Sequence, residues 1–570
     1  MRALTRTLLP YTCLLILASA STTWAILDVS QLRPGQQGLA RTVFSGATVE
    51  EFPVELVEIL AGDDPEQDLI LVRASGERID ALGGIAAGMS GSPVYVDGEL
   101  IGALAYVIPG GDPHYAYVTP ARLMLRLLED DHLALIPEGL LPIASPVCLG
   151  RLSRHAYEAF APKLKATGLL PIQAEGAVPL SAGAPELKPG AAVAVSLMSG
   201  DSEAVSLGTC TWTERGQALF FGHSLYQEGA CELPFSLAWI VATLPGTAGP
   251  FKIGGGLGIE GTISLDSPWG LLGRTGKSPA QLQLTVYASD TTLGRDRVAR
   301  QSLVKHRPYT PVLAGAAVLD ALDNVRMAIG PGACEGDLVV HFASGSEATC
   351  PLNFSTPGDL TTDFANWLTP MLAQLLAFEG PPGEVTSIDL RAKVKPPVRP
   401  YQLATINLGN SSAASLPVTL EVFGPAGPGT WQLDAPLPPA GASNLVLALT
   451  GATCLDEDAW LAQGKLLAFE AARKAADAAD YLNRLGKLTR ANQLFAEWIT
   501  PEEWALRRLF SAEHAASQPV VLESEETSAG IAYHPWAPGL TPVPGDFILL
   551  ETPAPLLGLA GSAQRGAAND

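Results

Sequence analysis

A mainly β fold follows from three observations on this chain of 570 residues. Glycine (57) and proline (46) are abundant while charged residues make up only 16%, a composition that favours turns and short strands over long solvated helices. Apolar residues recur with period two, or in short continuous runs bounded by turn residues, which is the pattern of half-buried and buried strands. After the first 25 residues no stretch has the ~20 apolar residues of a spanning helix. The length itself predicts several domains.

Taken in order, residues 1–25 read as an export signal: Arg2 and Arg6, an apolar run from Leu8 to Ala18, then small residues up to Ala25. Residues 26–145 form a first β unit, with an alternating strand at Val54–Ile59, a buried strand at Leu69–Val72 and a short helix from Ala121 to Leu128. Asp97-Gly98 between two β-rich runs signals a two-residue hairpin. A Pro-rich connector, Ile136–Pro146, leads into a second β unit over residues 146–300, with strands at Ala192–Leu197, Ala218–Phe221 and Gln281–Tyr287. A mixed α/β region is expected over 301–384, where Phe364, Trp367, Leu368, Met371, Leu372, Leu375 and Leu376 follow helical spacing and read as core. Residues 385–450 alternate as a β-sandwich-like module. Residues 451–559 read as helical and mixed, with an Ala-rich helix from Ala459 to Leu485, and 560–570 as a disordered small-residue tail.

Chemistry concentrates in Gly88-Met89-Ser90-Gly91-Ser92-Pro93. Glycines on both sides of Ser90 permit a tight turn with positive φ angles and leave room for a substrate. The same turn can aim the Gly88 and Ser90 amides at one point, which is how main-chain donors build an oxyanion hole. A glycine-rich surface turn is the plain alternative, because short motifs match by chance. The adjoining hairpin argues against it.

The run GMSGSPVYVDGELIGAL resembles the nucleophile segment of the SpoIVB-type sporulation serine peptidases, which share a Gly-x-Ser-Gly-x-Pro turn with trypsin-like enzymes. The resemblance extends to Arg33-Pro34-Gly35, Thr42–Gly46, Gln67–Arg73, Val118-Thr119-Pro120, Phe221-Gly222-His223 and Gly261–Asp266. It implies a trypsin-like double β-barrel, a Ser-His-acid mechanism and protein or peptide substrates. Met89 stands where trypsin-like enzymes carry aspartate, so activation through an N-terminal salt bridge is not implied. No PDZ module is recognisable.

A serine hydroxyl needs a base, and histidine is the usual one. Of eight histidines, His223 follows a strand and a glycine and matches the Gly-His motif of longer SpoIVB-like proteins; His114 is the alternative. Ser90 precedes His223, whereas the histidine comes first in the sporulation peptidase. Triads recur with several chain orders, and this one suggests a permuted double barrel or another base. Asp266, in the same β unit as His223 and in a resembling segment, is expected to orient the imidazole, with Asp80 and Glu228 as rivals.

Six cysteines lie beyond the signal. Cys210 with Cys231, and Cys334 with Cys350, flank expected hairpins and are the expected disulfides, with buried free thiols as the alternative. No HExxH or CxxC pattern points to a metal, and no cofactor is called for. The glycines at 254–258 lack a βαβ setting and read as turns or bulges rather than a phosphate loop. A net charge of −22 disfavours nucleic acid and anionic lipid as partners. The expected activity is that of an exported serine endopeptidase, periplasmic, in the cell envelope or extracellular. The alternative is a non-catalytic envelope scaffold retaining the peptidase fold.

Overall fold

The computed structural model describes residues 26–60, 68–129, 139–166, 169–174, 185–247, 249–356 and 358–396, then segments within 399–488 and at 495–499, 547–550 and 557–560. The export signal and most of the small-residue tail fall outside the described residues.

The first unit contains β1 (Gln37–Thr42), β2 (Glu50–Leu60), β3 (Leu69–Ala74), helix α1 (Glu77–Leu82), β4 (Pro93–Val96), β5 (Glu99–Val107) and β6 (Tyr115–Pro120). Its strands run β4-β1-β2-β3-β6-β5, and β4 also pairs with β5, closing a six-stranded antiparallel barrel. The period-two pattern explains the inside: Phe52, Val54 and Leu56 of β2 are buried while Glu51, Pro53 and Glu55 between them are exposed. Asp97 and Gly98 both take positive φ, and Val96 pairs with Glu99, the geometry of a two-residue hairpin turn.

Helix α2 (Ala121–Arg126) follows β6 directly, as expected. The chain then supplies β7 (Leu141–Pro142), β8 (Pro146–Gly150), α3 (Arg154–Ala166) and β9 (Leu170–Gln173). A second ring is built from β10 (Ala192–Gly200), β11 (Glu203–Glu214), β12 (Gln217–Phe220), β13 (Gly229–Leu244), β14 (Phe251–Ser267) and β15 (Gly270–Thr275). They follow the order β10-β13-β14-β15-β12-β11, and a β10–β11 pairing closes the circle. Two closed barrels in succession give the mainly β, trypsin-like double-barrel architecture that the resemblance implies. The 254–258 glycines lie inside β14, where the register with β13 shifts repeatedly. A Cβ on Gly254 would stand 2.3 Å from the Trp239 carbonyl oxygen, so this glycine serves close strand approach.

The second sheet does not stop at the barrel. Strand β17 (Arg295–Leu303) pairs with β10 and forms a hairpin with β16 (Leu282–Asp290); β18 (Gly332–Phe342), β19 (Glu347–Thr356) and β20 (Val385–Lys395) continue the sheet as β19-β18-β20-β16-β17. Helices α4 (Tyr309–Arg326) and α5 (Leu360–Leu375) pack on one another and on this sheet. The stripe read from helical spacing is core: Phe364, Trp367, Leu368, Met371, Leu372 and Leu375 are buried, and Phe354, Phe364 and Trp367 form one aromatic cluster. Helix α5 ends at Leu375, before Gly380-Pro381-Pro382. Further on, β21 (Arg399–Leu408), β22 (Ser415–Gly424) and β23 (Gly427–Pro436) form a sheet with β26 (Phe547–Leu550). Strands β24 (Val446–Thr450), β25 (Phe495–Ile499) and β27 (Leu557–Ala560) make a third, and α6 (Ala478–Leu488) packs against β19.

The disulfide expectation is not met: the five described cysteines are free thiols. Register gives the reason. In the β18–β19 hairpin Cys334 faces Phe354 while Cys350 faces Leu338, an offset of four positions at about 3.3 Å each, beyond disulfide reach. Cys210 sits on β11 and Cys231 on β13, strands that are not neighbours in the barrel.

Candidate active site

The Ser90 turn precedes β4 and is wedged between the barrels. Gly88 and Gly91 take φ values of 90° and 87°. Met89 anchors the turn from within: its side chain is fully buried in the first barrel's core, and its sulfur accepts the Ala86 amide at 3.4 Å. On the other side the second barrel takes up the turn's carbonyls. Thr209 donates its amide to Ser90 O (2.8 Å) and its hydroxyl to Gly88 O (3.3 Å), and Thr211 donates its hydroxyl to Gly91 O (2.8 Å). A Cβ on Gly91 would sit 2.2 Å from Thr209 O and 2.4 Å from Phe221 N. Only glycine fits this junction.

His223 reaches the same junction from the second barrel. Phe221 and Gly222 take φ values of 67° and 69° after β12, and Thr119 of β6 donates its hydroxyl to Gly222 O at 2.6 Å. The two turns meet at Leu104 of β5: its carbonyl accepts the Gly91 amide at 2.8 Å and lies 3.3 Å from where a Gly222 Cβ would be. Ser90 is fully buried and His223 is 2% exposed. The Ser90 Oγ and the His223 Nε2 are both buried without a hydrogen-bond partner, so the two atoms are not bonded to each other. Nδ1 is 2.7 Å from Ser224 O; a proton on Nδ1 satisfies that carbonyl and leaves Nε2 as the acceptor. Burial pulls the imidazole pKa down to about 4, against the contrary pull of the Ser224 and Ile143 carbonyls. The ring is a neutral base at pH 7.

Asp266 does not orient this ring. Its carboxylate accepts the amides of Leu225 (2.8 Å), Tyr226 (2.6 Å) and Glu228 (3.5 Å), so it stabilises the loop following His223 and has no bond to the imidazole. A main-chain carbonyl holds the position expected for an acid. The rivals are occupied elsewhere: Glu228 pairs with His306, and Asp80 stands 3.6 Å from His114 Nε2 on the surface. His114 Nδ1 is taken by Asp112 at 2.8 Å, so the alternative base has its polar contacts outside the Ser90 turn.

One of the two expected oxyanion donors is taken up by the chain itself. The Gly88 amide donates to Ala144 O at 3.0 Å, and is therefore not free for a substrate while that bond persists. Leu141 and Pro142 pair with Val107 and Tyr106 of β5, and the Ile143 amide donates to Ala105 O at 2.8 Å. Ile143 is buried, Ala144 is exposed and Ser145 is half-buried. In the sequence this stretch is a Pro-rich connector, and its prolines carry no hint of the contact.

Lys252 was also missed. It is fully buried with its stem against Gly88. Its ammonium donates to Thr42 Oγ1 at 2.7 Å, and burial lowers its pKa to about 7. Its amide donates to Ala87 O at 3.0 Å, clamping the strand entering the serine turn. A lone lysine inside the otherwise apolar Pro250–Gly254 run is the signal that marks it. The described residues include no group of His, Cys, Asp and Glu able to hold a metal and no helix long and apolar enough to cross a membrane.

Comparison with curated proteins and with solved structures returns no match. Residues 18–125, which span the first barrel and the Ser90 turn, match the family model for the SpoIVB peptidase S55, so this stretch is similar to the SpoIVB-type peptidases.

Proposed function

We propose that this chain is an exported serine peptidase in which Ser90 is the nucleophile and His223 the base. The observation that carries the reading is the meeting of two turns at Leu104, each held open by glycine, with an unpartnered hydroxyl on one and an unpartnered, Nδ1-anchored imidazole on the other. In the reaction Ser90 Oγ attacks the peptide carbonyl as His223 Nε2 takes its proton. The imidazolium returns that proton to the leaving amine, and water then hydrolyses the acyl-enzyme by the same route. The Gly88 amide, once released from Ala144, and the Ser90 amide hold the oxyanion. Ser224 O accepts a hydrogen bond from Nδ1–H throughout, so the unit is a Ser-His pair oriented by a carbonyl. The N-terminal apolar segment and the family likeness support export and protein substrates.

The test is prolonged exposure of the folded protein to a fluorophosphonate, with the adduct located by mass spectrometry. We expect labelling at Ser90 that is lost in Ser90→Ala, falls by at least about 100-fold in His223→Ala and persists in Asp266→Asn. Labelling that disappears in Asp266→Asn, in a variant shown to be folded, restores the carboxylate to the mechanism. No adduct on Ser90, even when Ile143→Gly loosens the chain over Gly88, overturns the reading in favour of a non-catalytic scaffold.

A further inference from the structure

Resting on that reading, we propose that Leu141–Ser145 is an intramolecular strap occupying the groove in which an extended peptide binds, so that the chain is latent until the strap is displaced. Both reactive atoms are inaccessible, and this segment lies directly on the serine turn: Ala144 is exposed while its carbonyl takes the Gly88 amide at 3.0 Å. A carbonyl on the amide two residues before the nucleophile stands in for the scissile carbonyl of a bound substrate. The strap reaches that point as a substrate would, adding a short antiparallel strand to β5 through Leu141, Pro142 and Ile143. Its hold is light. Two residue pairs and two further main-chain bonds fasten it, Ile143 is its buried side chain, and the Ser145 hydroxyl is buried without a partner.

The ligand class that follows is a peptide in extended conformation, pairing with Ala105–Val107 and placing an aliphatic side chain where Ile143 now sits against the first barrel's core. Such a peptide competes with the strap for the same donors and acceptors, so affinity for it is reduced by the fraction of molecules in which the strap is closed.

The decisive experiment compares two redox states of one protein. Val107 and Leu141 are directly opposed, so Val107→Cys with Leu141→Cys permits a bond that ties the strap to β5 when oxidised and frees it when reduced. Fluorophosphonate labelling of Ser90 is expected to be at least about ten-fold slower in the oxidised form, and at least about ten-fold faster than wild type in Ile143→Gly. Hydrogen exchange at the Gly88 amide should rise in step with labelling. Equal labelling in the oxidised and reduced forms, with unchanged Gly88 exchange in Ile143→Gly, overturns the strap and leaves the peptidase reading standing. Accelerated Gly88 exchange with no adduct in any form supports the strap and removes the peptidase reading.

Discussion

At His223 the unusual property is a buried imidazole with no carboxylate bonded to it. Tyr106 and Phe221 lie about its ring, and its described polar neighbours are the Ser224 and Ile143 carbonyls. The folded-state pKa of about 4 lies below the ordinary value of 6.5. Between these limits the unfolded chain holds the proton and the folded chain does not, so stability present above pH 6.5 is lost as pH falls towards 4. The loss is roughly 3 kcal/mol for this one group. Urea unfolding at pH 7 and pH 4.5 should show His223→Gln losing about 2 kcal/mol less than wild type; an identical loss in both would place the acid sensitivity elsewhere. His306, also lowered by burial to about 4, keeps part of the slope in the variant.

The serine turn is an element only in company with β11 and the turn after β12, because three of its carbonyls are satisfied by Thr209 and Thr211 of β11 and Gly91 lies against Phe221. Gly91 is the residue that allows this approach. Alanine there would combine a φ of 87° with contacts of 2.2 and 2.4 Å to backbone atoms of the second barrel. We expect Gly91→Ala to cost about 2–4 kcal/mol. Gly98→Ala has a similar φ of 82° but open space around its Cβ, and should cost about 1 kcal/mol. Equal losses in chemical denaturation would mean that the turn does not dock as described. The motif was legible in the sequence because glycine spacing is local. Its docking partners were not, since Thr209 and Thr211 lie some 120 residues away and threonine in a strand is unremarkable.

At the scale of the whole molecule, barrels and sheet are held, among the described residues, by apolar burial and hydrogen bonds rather than by covalent links. The described thiols are free, so reductant should leave the melting midpoint unchanged. A fall of several degrees would reveal a disulfide and overturn the register given for Cys334 and Cys350. The sequence by itself determined the β class, the Asp97-Gly98 hairpin, the α5 core stripe and the Ser90 turn, because each depends on side-chain period or backbone freedom within a few residues. Tertiary structure alone decided what surrounds Ser90. Barrel closure places Gly222-His223 beside β5, directs Asp266 to the amides of its own loop, and lays Ala144 across Gly88. Each outcome depends on which distant strand supplies the nearest donor, and local spacing carries no record of that.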